Sequence, residues 1–221
     1  MDDTVYFASH HHEVREMVRE FAQQQVAPIA RELDRDCAFP WENIKRMGEL
    51  GLLGVPWPEE YGGAGMDHLS YYIVIHEMAK VDASHALTIS AHTNLGTSPI
   101  VEFGTEAQRR GYVPLLASGR VLGGFGLTEP GAGSDAGGTA TTAVERGDHF
   151  LLNGSKSLIT HAGVGEIFSV TARTDPGQGH HGITSFIVTK DTVDLAECRA
   201  LGVGHMEDLP KIGRASCRER V

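Results

Sequence analysis

The chain has 221 residues, enough for one large domain or two small ones, and hydrophobic residues make up 41% of it, which is sufficient for a packed core. Its 29 acidic against 19 basic residues give a formal net charge of -10, which argues against a nucleic-acid-binding surface, because phosphate binding depends on clustered Lys and Arg. No basic leader follows Met1, apolar runs are short, and Cys37, Cys198 and Cys217 form no Cys-X-X-Cys motif, so we expect a cytoplasmic protein with no membrane span, disulfide framework or zinc site.

The first half of the chain shows helical spacing of its apolar residues. Ser9 is a candidate N-cap of a first helix with Glu13 in its first turn, and Pro28 is expected to break that helix. A second helix is predicted to follow Pro40. Three of its residues are expected to face inward: Ile44, Met47 and Leu50.

A loop rich in proline and glycine is predicted at residues 55–67, after Gly51 and Gly54 end the second helix. Asp67 is a candidate N-cap for a third helix that extends to about Lys80. Helical spacing thus resumes directly after the loop.

Two further helices are predicted before residue 120. Ser84 is a candidate N-cap of the fourth helix, which runs toward Gly96. Residues 105–108 read Thr-Glu-Ala-Gln and form a capping box, since the Thr and Gln side chains can each satisfy a backbone N–H at the start of a helix. This last helix is expected to end near Gly119.

Strand patterns replace helical spacing after residue 120. Five strands are predicted, at residues 121–128, 139–144, 149–152, 168–172 and 183–189. A hairpin turn is predicted at residues 145–148, and a loop at residues 175–182. A helical half followed by a strand-rich half predicts an α+β fold. The expected domains are an all-helical domain at residues 1–120 and an incomplete β-barrel-like or β-sandwich domain at residues 121–211.

The last ten residues, 212–221, differ in character from the rest of the chain. They are basic and lack periodicity, whereas the preceding chain is acidic. The segment resembles the translation of a sequencing-library adapter, and such segments are excluded from fold reasoning. We therefore expect residues 212–221 to be a non-native tail.

The segment with the clearest chemical meaning is GLTEPGAGSD at residues 126–135, a predicted strand that ends in a loop. Its glycines let the backbone approach a ligand and point N–H groups at an anion, and Thr128 and Ser134 add hydroxyl donors. Residues 131–133 also resemble part of a dinucleotide-binding fingerprint, but a strand rather than a helix is predicted from Thr139. A glycine-rich turn without a ligand is the remaining alternative.

FGLTEPGAGSDAGG closely resembles the signature of the acyl-CoA dehydrogenase family. PWPEEYGGAG, TEAQRRGYVPLLASG and NGSKSLITHAG stand in the family's order and approximate spacing, so the resemblance covers nearly all of residues 9–211. It implies an N-terminal helical domain, a middle β domain and a C-terminal helical bundle. This chain would contain the first domain, most of the second and none of the third.

The resemblance also implies FAD as cofactor and two segments that contact it. The implied contacts are Phe125, Gly126, Leu127, Thr128, Gly133 and Ser134 in the first segment, and Leu158, Ile159 and Thr160 in the second. Thr128 would hydrogen-bond the isoalloxazine ring, Thr160 would bond near its reactive nitrogen, and Ser134 would reach the acyl-CoA substrate. Many relatives have Trp or Phe at the position of Leu158, so an aromatic contact to the flavin is lost here.

The reaction that the resemblance implies is oxidation of an acyl-CoA thioester to the 2,3-enoyl-CoA. A carboxylate removes the α-proton while the β-hydrogen leaves as hydride to the flavin, and hydrogen bonds to the thioester carbonyl stabilise the developing enolate. In relatives the base is a glutamate of the C-terminal bundle. Nothing in residues 1–211 corresponds to it, so no catalytic residue is assigned and the chain alone is expected to be inactive.

The implied partners are the acyl-CoA substrate and an electron-transfer flavoprotein, and the full-length form would be a homo-oligomer. Acyl chain length stays open, since it depends on pocket depth in the absent bundle. Two alternatives remain. One is an acyl-CoA oxidase or flavin monooxygenase of the same superfamily. The other is a truncated, non-catalytic flavin-binding remnant.

No metal site is predicted from the twelve histidines. The runs at residues 10–12 and 180–181 are consecutive, so their side chains are expected to diverge, and residues 76–80 lack the second histidine of a zincin motif.

Three further groups of polar residues are candidates for a function. Glu59 and Glu60 lie in the Pro/Gly loop and fit a solvated turn better than an acid–base pair. His92 and Asn94 stand where the family lines its acyl pocket, so they would either touch substrate or pack. Arg-Gly-Asp at residues 146–148 fits a hairpin turn better than an adhesion motif.

Overall fold

The computed structural model describes residues 7–192 and, for the backbone alone, residues 214–217 and 219–220. The α-helices in the described residues are α1 Ser9–Phe21, α2 Ala30–Asp36, α3 Trp41–Glu49, α4 His68–Ala79, α5 Ala83–Ser90, α6 Ser98–Phe103 and α7 Glu106–Ala117. The strands are β1 Gly123–Gly126, β2 Thr142–Arg146, β3 His149–Asn153, β4 Ile167–Arg173, β5 Ile183–Thr189, β6 Arg214–Cys217 and β7 Glu219–Arg220. Helices followed by a mixed sheet confirm the α+β fold.

The chain divides into two compact units. One unit comprises Met1–Thr93 and Arg110–Arg120, and the other comprises Asn94–Arg109 and Val121–Val221. The domain bounds expected from the sequence stay a prediction, and residues 193–211 of the second domain, with Cys198, lie outside the described residues. None of the helices in the described part of the chain has the length and hydrophobicity that a membrane crossing requires.

In the helical unit, α1 packs against α4 and α4 packs against α5. The apolar stripe of α1 follows helical spacing and is buried, as are the inner faces of α3, α4 and α5. Among the most deeply buried side chains are Val18, Met47, Leu53, Val74, Met78 and Ile89. The predicted break at Pro28 is confirmed, because α1 passes into a π-helical turn, Ala22–Val26, and then a turn before α2 begins.

The residues that cap two of these helices differ from the prediction. Ser9 is the first residue of α1, and Ala8 is its N-cap. Asp82 caps α5 in place of Ser84, and its carboxylate accepts the His85 backbone N–H at 2.9 Å. A carboxylate is the stronger acceptor at a helix N-terminus, where it also meets the positive end of the helix dipole.

Two caps and one glycine stop agree with the prediction. The Asp67 carboxylate accepts the Ser70 N–H at 2.8 Å at the start of α4. The capping box of α7 is formed in both directions, with Thr105 N to Gln108 Oε1 at 2.8 Å and Gln108 N to Thr105 Oγ1 at 3.3 Å. Gly51 has a φ of +71° just after α3, a conformation that glycine adopts without strain.

The inward face of α3 is predicted correctly at two of three positions. Ile44 and Met47 are buried, but Leu50 is 44% exposed. The helix ends at Glu49, and Leu50 is its C-cap with a ψ of 1°. Its side chain therefore leaves the buried stripe. Gly54 is close-packed instead of ending the helix, since a Cβ there would lie 2.9 Å from the Ala117 Cβ.

A series of hydrogen bonds between largely buried polar groups connects α5, α3 and the π-helical turn. Asp82 Oδ2 lies 2.6 Å from His85 Nδ1, and His85 Nε2 lies 3.2 Å from Asn43 Nδ2. The same Asn43 amide donates to the Gln25 carbonyl at 3.2 Å. Because His85 Nδ1–H donates to the Asp82 carboxylate, Nε2 is free to accept from the Asn43 amide. Each of these hydrogen bonds therefore joins a donor to an acceptor.

The segment after α5 differs most from the prediction. The fourth helix, predicted from Ser84 toward Gly96, is present as α5 and a π-helical turn at Ala91–Thr97, and the short helix α6, which the sequence analysis did not predict, follows it. π-helical turns are rare and are often found at functional sites. Helical spacing of apolar residues does not distinguish such a turn from an α-helix over seven residues.

The strand-rich unit is a seven-stranded mixed sheet with the order β6-β3-β2-β4-β5-β7, in which β1 also pairs with β4. β1 runs parallel to β4, with Gly123 opposite Ile167, and β5 runs antiparallel to it along its whole length. All five predicted strands are present, the first shortened to four residues. The core of the sheet consists of Ala143, Leu152, Ile159, Phe168, Val170, Ala172, Phe186 and Val188.

The turns between these strands follow the sequence pattern. Arg146 pairs with His149 across a two-residue turn in which Gly147 has a φ of +66°, so the predicted hairpin is confirmed. The predicted loop at residues 175–182 contains 3-10 turns, Pro176–Gly182, that are interrupted at Gly179. A 3-10 turn, not an α-helix, also follows the glycine-rich segment, so the rejection of a dinucleotide-binding fingerprint is confirmed.

The end of the chain contributes two edge strands that the sequence did not predict. β6 pairs antiparallel with β3, and β7 pairs antiparallel with β5. Edge pairing depends on backbone N–H and C=O groups, so it needs no alternation of apolar side chains. The expectation that residues 212–221 are non-native stays a prediction, and residues 212, 213, 218 and 221 lie outside the described residues.

Candidate functional site

The two segments that the family resemblance gives as cofactor contacts lie side by side in the strand-rich unit. The first segment is residues 125–134, which continue from β1, and the second is residues 157–160, which follow β3. The Ser157 N–H donates to the Thr128 carbonyl at 2.8 Å. Farther back, a Cβ on Gly124 would lie 2.8 Å from the Thr160 carbonyl oxygen. The fold therefore brings the two groups of predicted residues together at the end of β1.

The first segment turns tightly after β1. Glu129 and Ala132 exchange two backbone hydrogen bonds, of 2.8 and 3.1 Å. Neither Gly131 nor Gly133 has a positive φ, and a Cβ on either would meet no atom within 4 Å. Packing within the described residues therefore does not require glycine here. Ser134 is exposed next to them, so the loop offers backbone and hydroxyl groups to open space.

A cavity of about 330 Å³ borders this loop. Its lining is formed by small residues and one carboxylate: Glu129, Pro130, Gly131, Gly138, Ala140, Thr141, Gly154 and Ser155. A second cavity, of about 410 Å³, lies in the helical unit between α1 and α3. Neither lining includes a predicted flavin contact, but the first cavity borders the predicted segment 126–135 through Glu129, Pro130 and Gly131.

The second segment has an unusual backbone. Leu158 has a φ of +57° and His161 a φ of +69°, and neither is glycine. A left-handed conformation costs a residue with a bulky side chain about 1 kcal/mol. Between them Ile159 points into the core of the sheet with 4% exposure, whereas Leu158 is 80% exposed. This geometry presents an apolar side chain to solvent beside the first segment.

His161 holds the end of the second segment against the start of β1, a role that the sequence analysis missed. Its Nδ1 donates to the Gly123 carbonyl at 2.9 Å, and the side chain is buried. Burial lowers the pKa of His161, and the hydrogen bond to Gly123 only partly opposes this effect. The imidazole is therefore neutral at physiological pH. Sequence spacing gives no signal that pairs residues 38 positions apart.

The strongest electrostatic feature was also missed. Glu129 and Lys156 form a buried ion pair with Oε1 2.7 Å from Nζ and side chains 5% and 0% exposed. The Glu129 carboxylate also accepts the backbone N–H groups of Ala140 and Thr141, at 2.7 and 3.0 Å.

Both charges of this pair titrate away from their usual range. Burial raises the pKa of Glu129, but hydrogen bonds from Lys156, Thr141 and Ala140 outweigh it and hold this pKa at about 2. Burial lowers the pKa of Lys156, and Glu129 partly offsets that effect. Lysine side chains are almost always exposed, so no pattern in the sequence predicts that Lys156 is buried.

Glu129 is the acidic group closest to the loop backbone in sequence, yet it is a poor candidate for a general base. A group that removes a proton efficiently has a pKa near the working pH. The pKa of Glu129, at about 2, is far below that range, and the carboxylate already accepts hydrogen bonds from Lys156, Ala140 and Thr141. Its chemistry here is structural.

The remaining polar candidates fall outside this site. Glu59 and Glu60 are exposed in a 3-10 turn, as predicted for a solvated turn. His92 is fully buried in the helical unit and lies 3.0 Å from the Leu116 carbonyl, which supports its packing role. Asn94 is exposed. The structure does not test contact of either residue with substrate.

The expectation that consecutive histidines diverge is wrong. The rings of His10 and His11 lie 3.9 Å apart, and those of His180 and His181 lie 4.0 Å apart. Among the described residues, His10, His11 and Asp67 form a cluster of close ligand atoms.

The hydrogen bonds of His11 nevertheless argue against a metal ion in this cluster. Its Nδ1 accepts the Ala8 N–H at 2.9 Å, so the proton is on Nε2 and faces the Asp67 carboxylate at 2.9 Å. A metal at Nε2 would have to displace this proton. It would also leave Nδ1–H opposed to another N–H, contrary to the usual arrangement of a metal-bound histidine.

Comparison with known proteins gives two family matches along the chain. Residues 8–120 match the model described as acyl-CoA dehydrogenase, N-terminal domain, and residues 124–218 match acyl-CoA dehydrogenase, middle domain. An acyl-CoA dehydrogenase of Bacillus subtilis (strain 168) is 49% identical over 179 residues, which are 81% of this chain and 47% of that protein. The short-chain specific acyl-CoA dehydrogenase of Clostridium acetobutylicum is 50% identical over 177 residues, which are 80% of this chain and 47% of that protein. The chain thus spans about half the length of these relatives.

Solved structures give the same picture. Butyryl-CoA dehydrogenase from Megasphaera elsdenii has a TM-score of 0.81 at 40% identity and covers 84% of this chain and 50% of its own. Acyl-CoA dehydrogenase complexed with FAD from Bacillus anthracis has a TM-score of 0.77 at 34% identity, with 98% of this chain and 37% of its own covered. A chain in the structure titled electron transferring flavoprotein of Acidaminococcus fermentans has a TM-score of 0.84 at 37% identity, with 97% and 57% covered.

Proposed function

Because this chain belongs to the acyl-CoA dehydrogenase family, we propose that it supplies the helical and middle-domain parts of a FAD-dependent enzyme that oxidises acyl-CoA thioesters to 2,3-enoyl-CoA. The observation that carries this proposal is the meeting of residues 125–134 with residues 157–160 through the bond from Ser157 to Thr128. These are the two segments in which the resemblance to the family implies FAD contacts. The similarity to a structure that contains FAD supports the choice of cofactor.

The residues present fit a flavin nucleotide. The glycines of the loop, Gly131 and Gly133, leave open space where a ligand can approach the backbone. Leu158 offers an exposed apolar surface that a planar ring system would cover. Thr128 and Thr160 are half-buried, so their hydroxyls are accessible for hydrogen bonds. A ligand with an apolar ring and polar edges therefore satisfies both segments.

We assign the following roles to the residues of this chain. Thr128 donates a hydrogen bond to the isoalloxazine ring, Thr160 bonds near its reactive nitrogen, and Ser134 contacts the acyl-CoA. The backbone of Phe125, Gly126 and Leu127 lies along the cofactor, with Gly133 at the loop. The exposed Leu158 side chain shields it from water, and Ile159 contacts it through its backbone, since its side chain packs in the core of the sheet. When bound, FAD accepts the hydride equivalent that leaves the β-carbon of the substrate.

The carboxylate that removes the α-proton is expected outside the described residues. Glu129 is excluded by its pKa of about 2 and its hydrogen bonds. In relatives the base belongs to a C-terminal bundle, and this chain spans about half the length of its relatives. We therefore expect no turnover by this chain alone, since loss of a general base costs roughly 10²–10⁴-fold in rate.

The partners of the whole protein are part of the proposal. We propose an acyl-CoA as substrate and an electron-transfer flavoprotein as electron acceptor, with a homo-oligomer as the full-length form. The similarity to a chain in an electron transferring flavoprotein structure supports the acceptor. The cytoplasmic location stays a prediction from the cysteine pattern.

The test is a titration of the purified chain with FAD, followed by flavin fluorescence and by visible circular dichroism. We expect weak, saturable binding that is mostly lost on gel filtration and is weakened about tenfold by Thr128→Val, which removes one hydrogen bond while keeping the shape. Thr142→Val, a hydroxyl removed from β2, is the matched control. Absence of saturable binding, or equal losses in the two variants, would contradict the proposal. Dye reduction by butyryl-CoA or octanoyl-CoA with the chain alone would contradict the expected lack of turnover.

A further inference from the structure

Lys156 joins three separate parts of the strand-rich unit with one ammonium group. Its Nζ donates to the Leu127 carbonyl at 3.0 Å, to Glu129 Oε1 at 2.7 Å and to Thr171 Oγ1 at 3.1 Å. An ammonium group has three N–H donors, so these partners account for all of them. Lys156 therefore has no donor left for a ligand, and a direct binding role is excluded.

The position of these partners along the chain is informative. Leu127 and Glu129 are the neighbours of Thr128 on either side, and both are bound by the same ammonium group. The residue after Lys156 is Ser157, whose N–H donates to the carbonyl of Thr128 itself at 2.8 Å. Lys156 and Ser157 thus hold the backbone carbonyls of Leu127 and Thr128 and the side chain of Glu129, three consecutive residues, and the Thr128 hydroxyl is the group left to contact a ligand.

Glu129 extends this connection to the strand that follows the loop. Its two carboxylate oxygens accept the N–H groups of Ala140 and Thr141 as well as the Lys156 ammonium. These hydrogen bonds close the loop of residues 129–141 on itself. The loop that carries Gly131 and Gly133 is therefore held at both ends, even though a Cβ on either glycine would meet no atom within 4 Å.

Stability alone does not explain a pair buried in this way. Desolvation of two charges commonly cancels their attraction, and well-packed apolar residues at such positions are often as stable or more stable. An apolar pair cannot orient the backbone, because dispersion contacts do not specify which carbonyl lies opposite which group. A fully satisfied polar network fixes one arrangement of the backbone.

We propose that Glu129 and Lys156 are positioning residues that set Thr128 and residues 158–160 in register with each other for flavin binding. This inference rests on the proposed function for its ligand, but not for the ordering of the two segments. Lys156 acts through the carbonyl of Leu127 and through Ser157, its neighbour in the chain, and Glu129 acts by tying the residue after Thr128 to Lys156.

The first part of the test needs no cofactor. Hydrogen exchange of the whole chain is measured by mass spectrometry or NMR for Lys156→Met, which keeps length and removes the charge, and for Leu152→Ala, a matched control in the core of the same sheet. Loss of hydrogen bonds to a charged group is expected to speed exchange in residues 125–134 and 156–161 by about 10- to 100-fold. The control is expected to speed exchange across the sheet without preference for these segments. Equal patterns in the two variants would overturn the proposal.

The second part measures FAD itself. We expect Lys156→Met to raise the Kd for FAD about tenfold or more and to change the visible circular dichroism of the bound flavin, while Leu152→Ala leaves both nearly unchanged under conditions where it is folded. Local exchange without a change in Kd or in the flavin spectrum would overturn the positioning role. Failure of the unsubstituted chain to bind FAD would overturn the proposed function and the flavin role together, and the exchange data would still decide whether the pair orders Thr128. If Lys156→Met does not fold, Glu129→Gln, which keeps the side-chain shape, takes its place with the same expected results.

Discussion

Replacing Glu129 with glutamine removes the negative half of the buried ion pair and keeps the shape of the side chain. The Lys156 ammonium then stays buried with two neutral partners and an amide, and the glutamine NH₂ faces a backbone N–H. The pKa of Glu129 is held at about 2 against an ordinary value of 4.5. This difference corresponds to about 3 kcal/mol, which agrees with the roughly 3–5 kcal/mol lost when a buried ion pair is broken.

The contribution of Glu129 to stability depends on pH in a defined direction. Because its pKa is lower in the folded than in the unfolded chain, the contribution is fully present above about pH 4.5 and is lost as the pH falls toward 2. Linkage with these two values leaves about two fifths of it at pH 3. We therefore expect Glu129→Gln to lower the free energy of unfolding by about 3 kcal/mol at pH 7, and by roughly two fifths of that at pH 3.

Urea unfolding at pH 7, 5, 4 and 3, followed by far-UV circular dichroism, measures this difference. Glu145→Gln is the control, since Glu145 is an exposed carboxylate of β2 in the same sheet, and its loss is expected to change stability by less than about 0.5 kcal/mol. A difference between Glu129→Gln and the unsubstituted chain that stays constant from pH 7 to pH 3 would refute the electrostatic reasoning. So would a difference below about 1 kcal/mol at pH 7.

Three further substitutions test other features of the structure. Asp67→Ala removes the α4 N-cap and the His11 contact, and is expected to lower the free energy of unfolding, measured with heat or urea at pH 7, by about 1 kcal/mol. Hydrogen bonds, first that from Ser70, lower the pKa of Asp67. The difference between the variant and the unsubstituted chain is therefore expected to shrink as the carboxyl protonates at low pH. Leu158→Gly relieves the left-handed strain at a φ of +57° and is expected to leave the free energy of unfolding unchanged or to raise it by up to about 1 kcal/mol. It is also expected to weaken FAD binding in the fluorescence titration. A lower free energy of unfolding would contradict the strain argument. Gly54→Ala places a Cβ 2.9 Å from that of Ala117 and is expected to lower the unfolding free energy by about 1–3 kcal/mol, and a neutral result would show that the helix can shift to make room.

Local rules predicted much of the fold because they depend on near neighbours. The caps at Asp67 and Thr105 satisfy backbone groups three residues away, and the glycine stop at Gly51 depends on the conformation of one residue. The hairpin at residues 146–149 needs only its turn and its alternating neighbours. Each of these features depends on a few consecutive residues, and the structure confirms the predictions made from them.

The site features that the sequence did not predict depend on distant partners. Lys156 is buried because Leu127, Glu129 and Thr171 surround its ammonium group, and none of these is close to it in sequence. The cap of α5 is a different case, because the partner of Asp82 is His85, only three residues away, so the signal for Asp82 was local. The family resemblance located the two candidate flavin segments, but it did not reveal the ion pair that connects them.

The π-helical turn at Ala22–Val26 makes the number of residues in this part of the chain matter more than their identity. Such a turn holds one residue more than the α-helix that could replace it, and its Gln25 carbonyl accepts the buried Asn43 amide. Deleting a single residue here would let the helix close as a regular α-helix, with the turns on either side nearly in phase. We expect the Gln25 carbonyl to be drawn into the regular hydrogen-bond pattern, so that the Asn43 amide loses its acceptor and His85 behind it loses a fixed partner. Removing a residue from this turn should therefore be tolerated less well than replacing one of its side chains.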